Sequence, residues 1–101
     1  MTAPGSTLAP LPIEIPAWRI NERNSGEQHI YRFANGYGAS VVRGPYTYGG
    51  PDGLFELGVI VFDGDKWELT YDTPITDDVL GYLDLPEVAK ILVRIAALPK
   101  S

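Results

Sequence analysis

The sequence predicts an α+β fold, an antiparallel meander sheet of four to five strands with a C-terminal helix packed on one face. Three observations lead to this prediction. Asn35-Gly36 and Asp63-Gly64 are dipeptides that favour tight hairpin turns, and each separates two stretches rich in alternating or β-branched residues. The stretch after Asp84 instead repeats apolar side chains at helical spacing.

The first hairpin is predicted over residues 29–43. Tyr31 and Phe33 lie on one face of its first strand, and the return strand is rich in small and β-branched residues. Asn35-Gly36 suits the positive φ angles of a type I′ turn. These features define a strand, a two-residue turn and a second strand.

The second hairpin is predicted over residues 55–71. Its first strand is apolar on both faces around residues 59–62, which is typical of a central strand covered on both sides. The return strand alternates, so we expect Trp67, Leu69 and Tyr71 to point inward.

Two helices are predicted after the sheet. Thr76 is a candidate cap for a short helix that runs through Tyr82. Asp84 and Glu87 have the spacing of a capping box at the start of the last helix. The apolar stripe of this last helix is formed by Val88, Ile91, Leu92 and Ile95.

The chain is expected to hold one domain over residues 13–101, preceded by a flexible Pro-rich tail over residues 1–12. Residues 13–23 are extended but contain Pro16, which cannot donate to a ladder, so this segment is expected to be an edge strand or two short extended pieces. There is no Cys, and no apolar run approaches the ~20 residues of a membrane span. We expect a cytoplasmic protein with no membrane partner.

The net charge of −5 is concentrated in the middle of the chain. Ten acidic residues and a single Lys lie between Asp52 and Glu87. This balance argues against direct binding of nucleic acid, because that requires basic side chains that neutralise phosphates. The acidic residues serve solubility or form an acidic face for a basic partner. The members of that candidate face are Asp63, Asp65, Asp72, Asp77 and Asp78.

Catalytic and metal-binding patterns are weak, and we predict no enzyme activity and no cofactor. His29 is the only His, and it is expected to be a partly exposed strand residue without a catalytic neighbour. Ser40 is expected several residues out of register with it. Asp63 and Asp65 flank a Gly as in part of a calcium loop, but a hairpin turn explains them fully.

The stretch from Gly44 to Leu54 is the strongest candidate for binding. It is rich in Gly and Pro and carries Tyr46 and Tyr48, with Tyr37 and Arg43 on the preceding strand. Tyrosine offers a large contact area with few torsions to immobilise, and long loops on a rigid scaffold often bind partners. The alternative is an ordered connection whose tyrosines fold back on the sheet.

The motifs ANGYGASVV (34–42), GPYTYGGP (44–51) and YDTPITDDVLGYL (71–83) resemble small uncharacterised proteins encoded by bacteriophages, actinobacteriophages among them. The resemblance covers roughly residues 30–98. It implies a viral accessory protein that acts in a bacterial cytoplasm, and it implies no particular activity or functional residue.

The sequence therefore supports three functions. The first is a non-catalytic accessory protein that binds a host or phage macromolecule through the Tyr-rich loop, with a homodimer across a sheet edge as a further expectation. The second is an acidic mimic of nucleic acid that inhibits a host defence enzyme. The third is a small-molecule binder or small enzyme, which needs a pocket lined by Tyr37, Tyr46, Tyr48 and Trp67.

Overall fold

The computed structural model describes residues 8–101 and is an α+β fold with an antiparallel sheet and one C-terminal helix. The strands follow the predicted meander order, and a sixth strand pairs with the fourth. The elements are β1 (Arg19–Arg23), β2 (Gly26–Arg32), β3 (Tyr37–Arg43), β4 (Phe55–Asp63), β5 (Lys66–Leu69), β6 (Leu80–Leu83) and α1 (Leu85–Ala96). The predicted fold class is confirmed.

The first predicted hairpin is confirmed as β2 and β3, but its turn differs from the prediction. Gly36 has a φ of 91°, whereas Asn35 does not have a positive φ, and the Gly36 N–H donates to the Phe33 carbonyl over 3.1 Å. This is a three-residue loop with Gly in the left-handed position rather than a type I′ turn. The type I′ pattern occurs instead between β1 and β2, where φ is 49° at Asn24 and 63° at Ser25.

The second hairpin is confirmed as β4 and β5, whereas the short helix predicted from Thr76 to Tyr82 is wrong. In its place β6 pairs antiparallel with β4, with Leu80 opposite Leu57 and Leu83 opposite Phe55. Beyond the end of β5, the edge of β4 has backbone N–H and C=O groups that need partners. Pairing with this edge satisfies the backbone hydrogen bonds of β6 better than one isolated helical turn would.

The last helix begins with the predicted capping box. The Asp84 carboxylate accepts from the Glu87 N–H, and the Glu87 carboxylate accepts from the Asp84 N–H, each over 2.9 Å. Its inner face buries Val88, Leu92 and Ile95 fully. They pack on the helix-covered face of the sheet, whose buried residues are Tyr31, Ala39, Val41, Phe55, Leu57 and Val59.

The N-terminal boundary of the domain lies earlier than predicted. Leu11 is buried in the core, and Ile13 and Ile15 pack against it. The predicted tail over residues 1–12 therefore overlaps the packed domain, and its residues 1–7 lie outside the described residues. The predicted edge strand is shorter than expected, since only Arg19–Arg23 pairs, as β1.

The opposite face of the sheet is concave. Trp18, just before β1, reaches Phe62 on β4 with the ring centroids 5.3 Å apart, although β2 and β3 lie between their strands. Gly38 on β3 allows this curl, because a Cβ there would lie 2.9 Å from the Phe62 ring. Ile30 and Ile60 are fully buried on this face. Within residues 8–101 no helix has the length and apolar character to cross a bilayer.

Candidate functional site

The loop between β3 and β4 holds two exposed tyrosines on an ordered backbone. Tyr46 is 87% exposed and Tyr48 is 61% exposed. The Thr47 side chain closes the loop, because its hydroxyl accepts from the Gly44 N–H over 3.0 Å. The Tyr48 N–H donates to the Glu56 carboxylate over 3.0 Å. Hydrogen bonds at both ends therefore fix the backbone that carries the tyrosines.

Tyr82 on β6 adds a third exposed ring to this loop. It is 61% exposed, and its N–H donates to the Tyr48 carbonyl over 3.3 Å. We call Tyr46, Tyr48 and Tyr82 the tyrosine patch. Tyr82 was not predicted as part of the site, because the sequence pattern places it at the end of a short helix rather than on β6.

Tyr82 also has a strained backbone. Its φ is 57°, in the left-handed region that a bulky residue rarely adopts. Gly49 packs closely against this residue, since a Cβ on Gly49 would lie 2.9 Å from the Tyr82 Cα. Strain of this kind costs on the order of 1 kcal/mol and tends to cluster at functional sites.

The other two candidates for the loop site, Tyr37 and Arg43, are placed differently. Tyr37 begins β3 and Arg43 ends it, so they are about 20 Å apart at the rise of an extended strand. Tyr37 packs against the helix-covered core. Arg43 lies at the base of the loop, where its Nη1 donates to the Gly53 carbonyl over 3.3 Å. The structure brings Arg43 to the loop and leaves Tyr37 at the other end of the sheet.

Arg43 belongs to a charged cluster with Glu27 and His29. Arg43 Nη2 donates to Glu27 Oε2 over 2.8 Å, and His29 Nε2 lies 2.8 Å from Glu27 Oε1. Burial alone would raise the pKa of Glu27, but hydrogen bonds from His29 and Arg43, with the nearby positive charge, together lower that pKa below its ordinary value. The Arg43 guanidinium also lies over the Phe55 ring, 4.4 Å from its centroid.

The predicted exposure of His29 is wrong. The residue is fully buried on the helix-covered face, and within residues 8–101 its Nδ1 has no hydrogen-bond partner. The predicted hairpin began at His29, which made this residue a strand end, whereas β2 begins at Gly26 and places His29 inside the sheet. Glu27, two residues earlier on the same face of β2, is its polar partner there.

The prediction that Ser40 lies several residues out of register with His29 is wrong. The cross-strand neighbour of His29 is Val41 and that of Ile30 is Ser40, so the two residues are only one position out of register. Because successive strand residues point to opposite faces, the Ser40 hydroxyl lies on the concave face, away from the imidazole. Among the described residues, moreover, the His and acidic side chains form no group of three that could hold a metal ion.

The concave face contains a pocket of about 340 Å³ beside the loop. We call it the concave pocket. Trp67 and Leu69 on β5 form one wall, and Tyr46 lines the end nearest the loop. Its floor is built from Gln28, Ser40, Val42, Glu56 and Gly58. Tyr37 and Tyr48, which were expected in a ligand pocket, do not line it.

The prediction that Trp67, Leu69 and Tyr71 all point inward holds only in part. Trp67 is partly buried, but Leu69 is 43% and Tyr71 is 46% exposed. Within residues 8–101 no helix covers the concave face, and the alternating pattern cannot distinguish a covered face from a hollow one.

The five candidate acidic residues are exposed but not gathered on one surface. Asp63 and Asp65 lie at the turn between β4 and β5, whereas Asp72, Asp77 and Asp78 lie in the connection between β5 and β6. That connection rejoins β4 at Leu57, six residues and about 20 Å from Asp63. Asp65 is also paired with Arg32 over 2.9 Å. A continuous acidic face therefore has little support from this arrangement.

Comparison of the chain with protein-family models, curated proteins and solved structures gave no significant match.

Proposed function

We propose that this chain is a non-catalytic binding protein that engages a partner protein through the tyrosine patch. The observation that carries the proposal is the exposure of Tyr46, Tyr48 and Tyr82 around one hydrogen-bonded loop. A large aromatic side chain that stays exposed does not gain the favourable free energy of removing its apolar surface from water. Tyrosine is also enriched in interfaces between proteins.

The order of the loop supports this role. Binding through three tyrosines on a preformed backbone costs this chain little conformational entropy, because only two side-chain torsions for each ring are immobilised. The strained φ of Tyr82 supports it further, because an exposed ring in that conformation gives the isolated fold no compensating burial.

The resemblance to small bacteriophage proteins extends the proposal to the setting. The partner would be a host or phage protein in a bacterial cytoplasm. The patch itself contains no charged side chain, so we expect partner binding to depend only weakly on salt.

The test is affinity capture from bacterial lysate with the full chain as bait, followed by mass spectrometry. A variant carrying Tyr46→Ala, Tyr48→Ala and Tyr82→Asn should lose the captured partner. Alanine removes the rings, and asparagine tolerates the left-handed backbone of residue 82.

The matched control is Tyr71→Ala, because Tyr71 is also exposed but lies in the connection after β5. This variant should retain the partner at the level of the unchanged chain. Equal recovery by the triple variant and the control would remove the tyrosine patch from the proposal.

A further inference from the structure

We propose that the concave pocket binds a small, uncharged ring compound that carries a carboxamide. This inference goes beyond the proposed function. It uses the hollow face of the sheet rather than the exposed loop, and the two sites share only Tyr46.

The pocket exists because two facing residues on adjacent strands are small. Ser40 on β3 is the cross-strand partner of Gly58 on β4, so neither residue projects a large side chain from the floor of the pocket. The Leu69 side chain packs over Gly58, since a Cβ on Gly58 would lie 2.5 Å from its Cδ2 atom, and it lines the pocket beside Ser40. The volume of about 340 Å³ is at the lower end of the range for ligand pockets, and it suits one ring with a short substituent.

The floor of the pocket presents hydrogen-bond donors. Gln28 Nε2 donates to Ser40 Oγ over 3.1 Å, and Gln28 Oε1 accepts from Asn21 Nδ2 over 3.2 Å. Among residues 8–101 Ser40 Oγ makes only the hydrogen bond that it accepts from Gln28 Nε2, so the Ser40 hydroxyl proton and the second Nε2 proton of Gln28 are free to donate. Both residues are almost fully buried, at 8% and 4% exposure. A ligand carbonyl oxygen would satisfy these donors.

Glu56 provides an acceptor at the same level of the sheet. Its Oε1 accepts from the Tyr48 N–H, and within the described residues its Oε2 has no partner. An amide N–H of the ligand would donate to this oxygen. A carboxylate ligand would be repelled by Glu56, and an ammonium ligand would leave the floor donors without an acceptor.

The walls select a flat apolar body for the ligand. Trp67, Leu69 and Val79 line one side, and the Tyr46 ring lines the end. The Arg43 charge at the rim is already paired with Glu27 over 2.8 Å. The site therefore combines apolar walls with the floor donors of Gln28 and Ser40 and the acceptor Glu56, and the paired Arg43 and Glu27 and the exposed Arg23 also line it.

The test is a titration of the full, ¹⁵N-labelled chain with benzamide, followed by NMR. The indole N–H signal of Trp67, assigned with Trp67→Phe, should shift and saturate, with a dissociation constant on the order of 1 mM for so small a probe. The signal of Trp18 should stay in place, because this residue packs on Phe62 and does not line the pocket.

Two variants test the polar contacts. Ser40→Ala should weaken benzamide binding roughly three- to tenfold, the range expected for one lost hydrogen bond. Glu56→Gln should strengthen the binding of benzoate relative to benzamide, a change that a misfolded variant could not produce. Acetamide, which lacks the ring, should bind too weakly to saturate.

Three results would overturn the inference. These are equal affinities for benzamide, benzoate and benzylamine, equal shifts of both indole signals, and unchanged relative affinities in Glu56→Gln. None of them bears on capture of a protein by Tyr48 and Tyr82, which do not line the pocket, so the two proposals fail independently.

Discussion

The two faces of this sheet use the same strands but are buried in different ways. On the helix-covered face, Val88, Leu92 and Ile95 of α1 fill the space above the strands. The side chains of Val41, Leu57 and Val59 beneath them are almost fully enclosed. On the concave face the sheet curls on itself, and Trp18 closes one end by packing on Phe62.

The difference follows from what each face lacks. The helix-covered face needs an external element, since its own side chains cannot cover one another. The concave face closes its Trp18 end by curvature and leaves the other end hollow, because Ser40 and Gly58 leave space there. A covered face supplies stability, and an incompletely closed face supplies room for a ligand.

The largest expected effect is on the helix-covered face. Leu92→Ala should reduce the free energy of unfolding by about 2–5 kcal/mol, because it leaves a cavity in a fully enclosed position. Urea denaturation followed by circular dichroism would measure it. The neighbouring Val93→Ala is the control, since Val93 is 60% exposed and its loss should cost less than about 0.5 kcal/mol.

The same substitution on the concave face sharpens the comparison. Leu69→Ala should cost less than Leu92→Ala, about 1 kcal/mol or less, because Leu69 is 43% exposed. A loss as large as that of Leu92→Ala would show that the concave face is closed in solution.

Asn35 tests the contact between the sheet and the end of the helix. Its Nδ2 donates to the carbonyls of Ile95 and Leu98 over 2.8 and 3.0 Å. Asn35→Ala should therefore destabilise the fold by about 1–3 kcal/mol, since helix-end carbonyls lose their donor. The control is Asp72→Ala, which alters only an exposed side chain. Asn24→Ala is unsuitable as a control, because Asn24 has a positive φ. A loss no larger than that of Asp72→Ala would argue against the cap.

Glu27 tests the charged cluster at the edge of the helix-covered face. Its pKa is lowered on folding, so its ionised form stabilises the fold above an ordinary pKa of about 4.5, and this contribution is lost as the pH falls through the folded value. When the pH is lowered from about 5 to about 3, the free energy of unfolding should therefore fall less for Glu27→Gln than for the unchanged chain. Urea denaturation at a series of pH values would measure this. Parallel stability–pH curves for the two chains would contradict this assignment.

The smallest expected effect is on the tyrosine patch. Tyr82→Asn should raise the free energy of unfolding by about 0.5–1 kcal/mol, because Asn adopts the left-handed region more readily and little buried area is lost. Thermal denaturation would measure the shift. A destabilised variant would show that the Tyr82 ring contributes packing to the isolated fold, and it would weaken the argument from strain.

Much of the fold could be predicted because its signals are local. The apolar run of β4, the alternation in β5, the turn at Gly64 and the capping box at Asp84 each depend on residues a few positions apart. The candidate site was predicted in part. The loop and its two tyrosines were identified, but Tyr82, Glu27 and the floor of the concave pocket were not. Each of these is defined by residues from different strands.

The sequence by itself determined the two hairpins and the C-terminal helix, because backbone preferences and residue spacing act over short distances. Only the tertiary structure decided that Leu80–Leu83 pairs with β4, that Asn35 caps the helix and that His29 is buried against Glu27. These features depend on contacts between distant segments. An unpaired strand edge or a helix end takes whichever partner the completed fold brings to it.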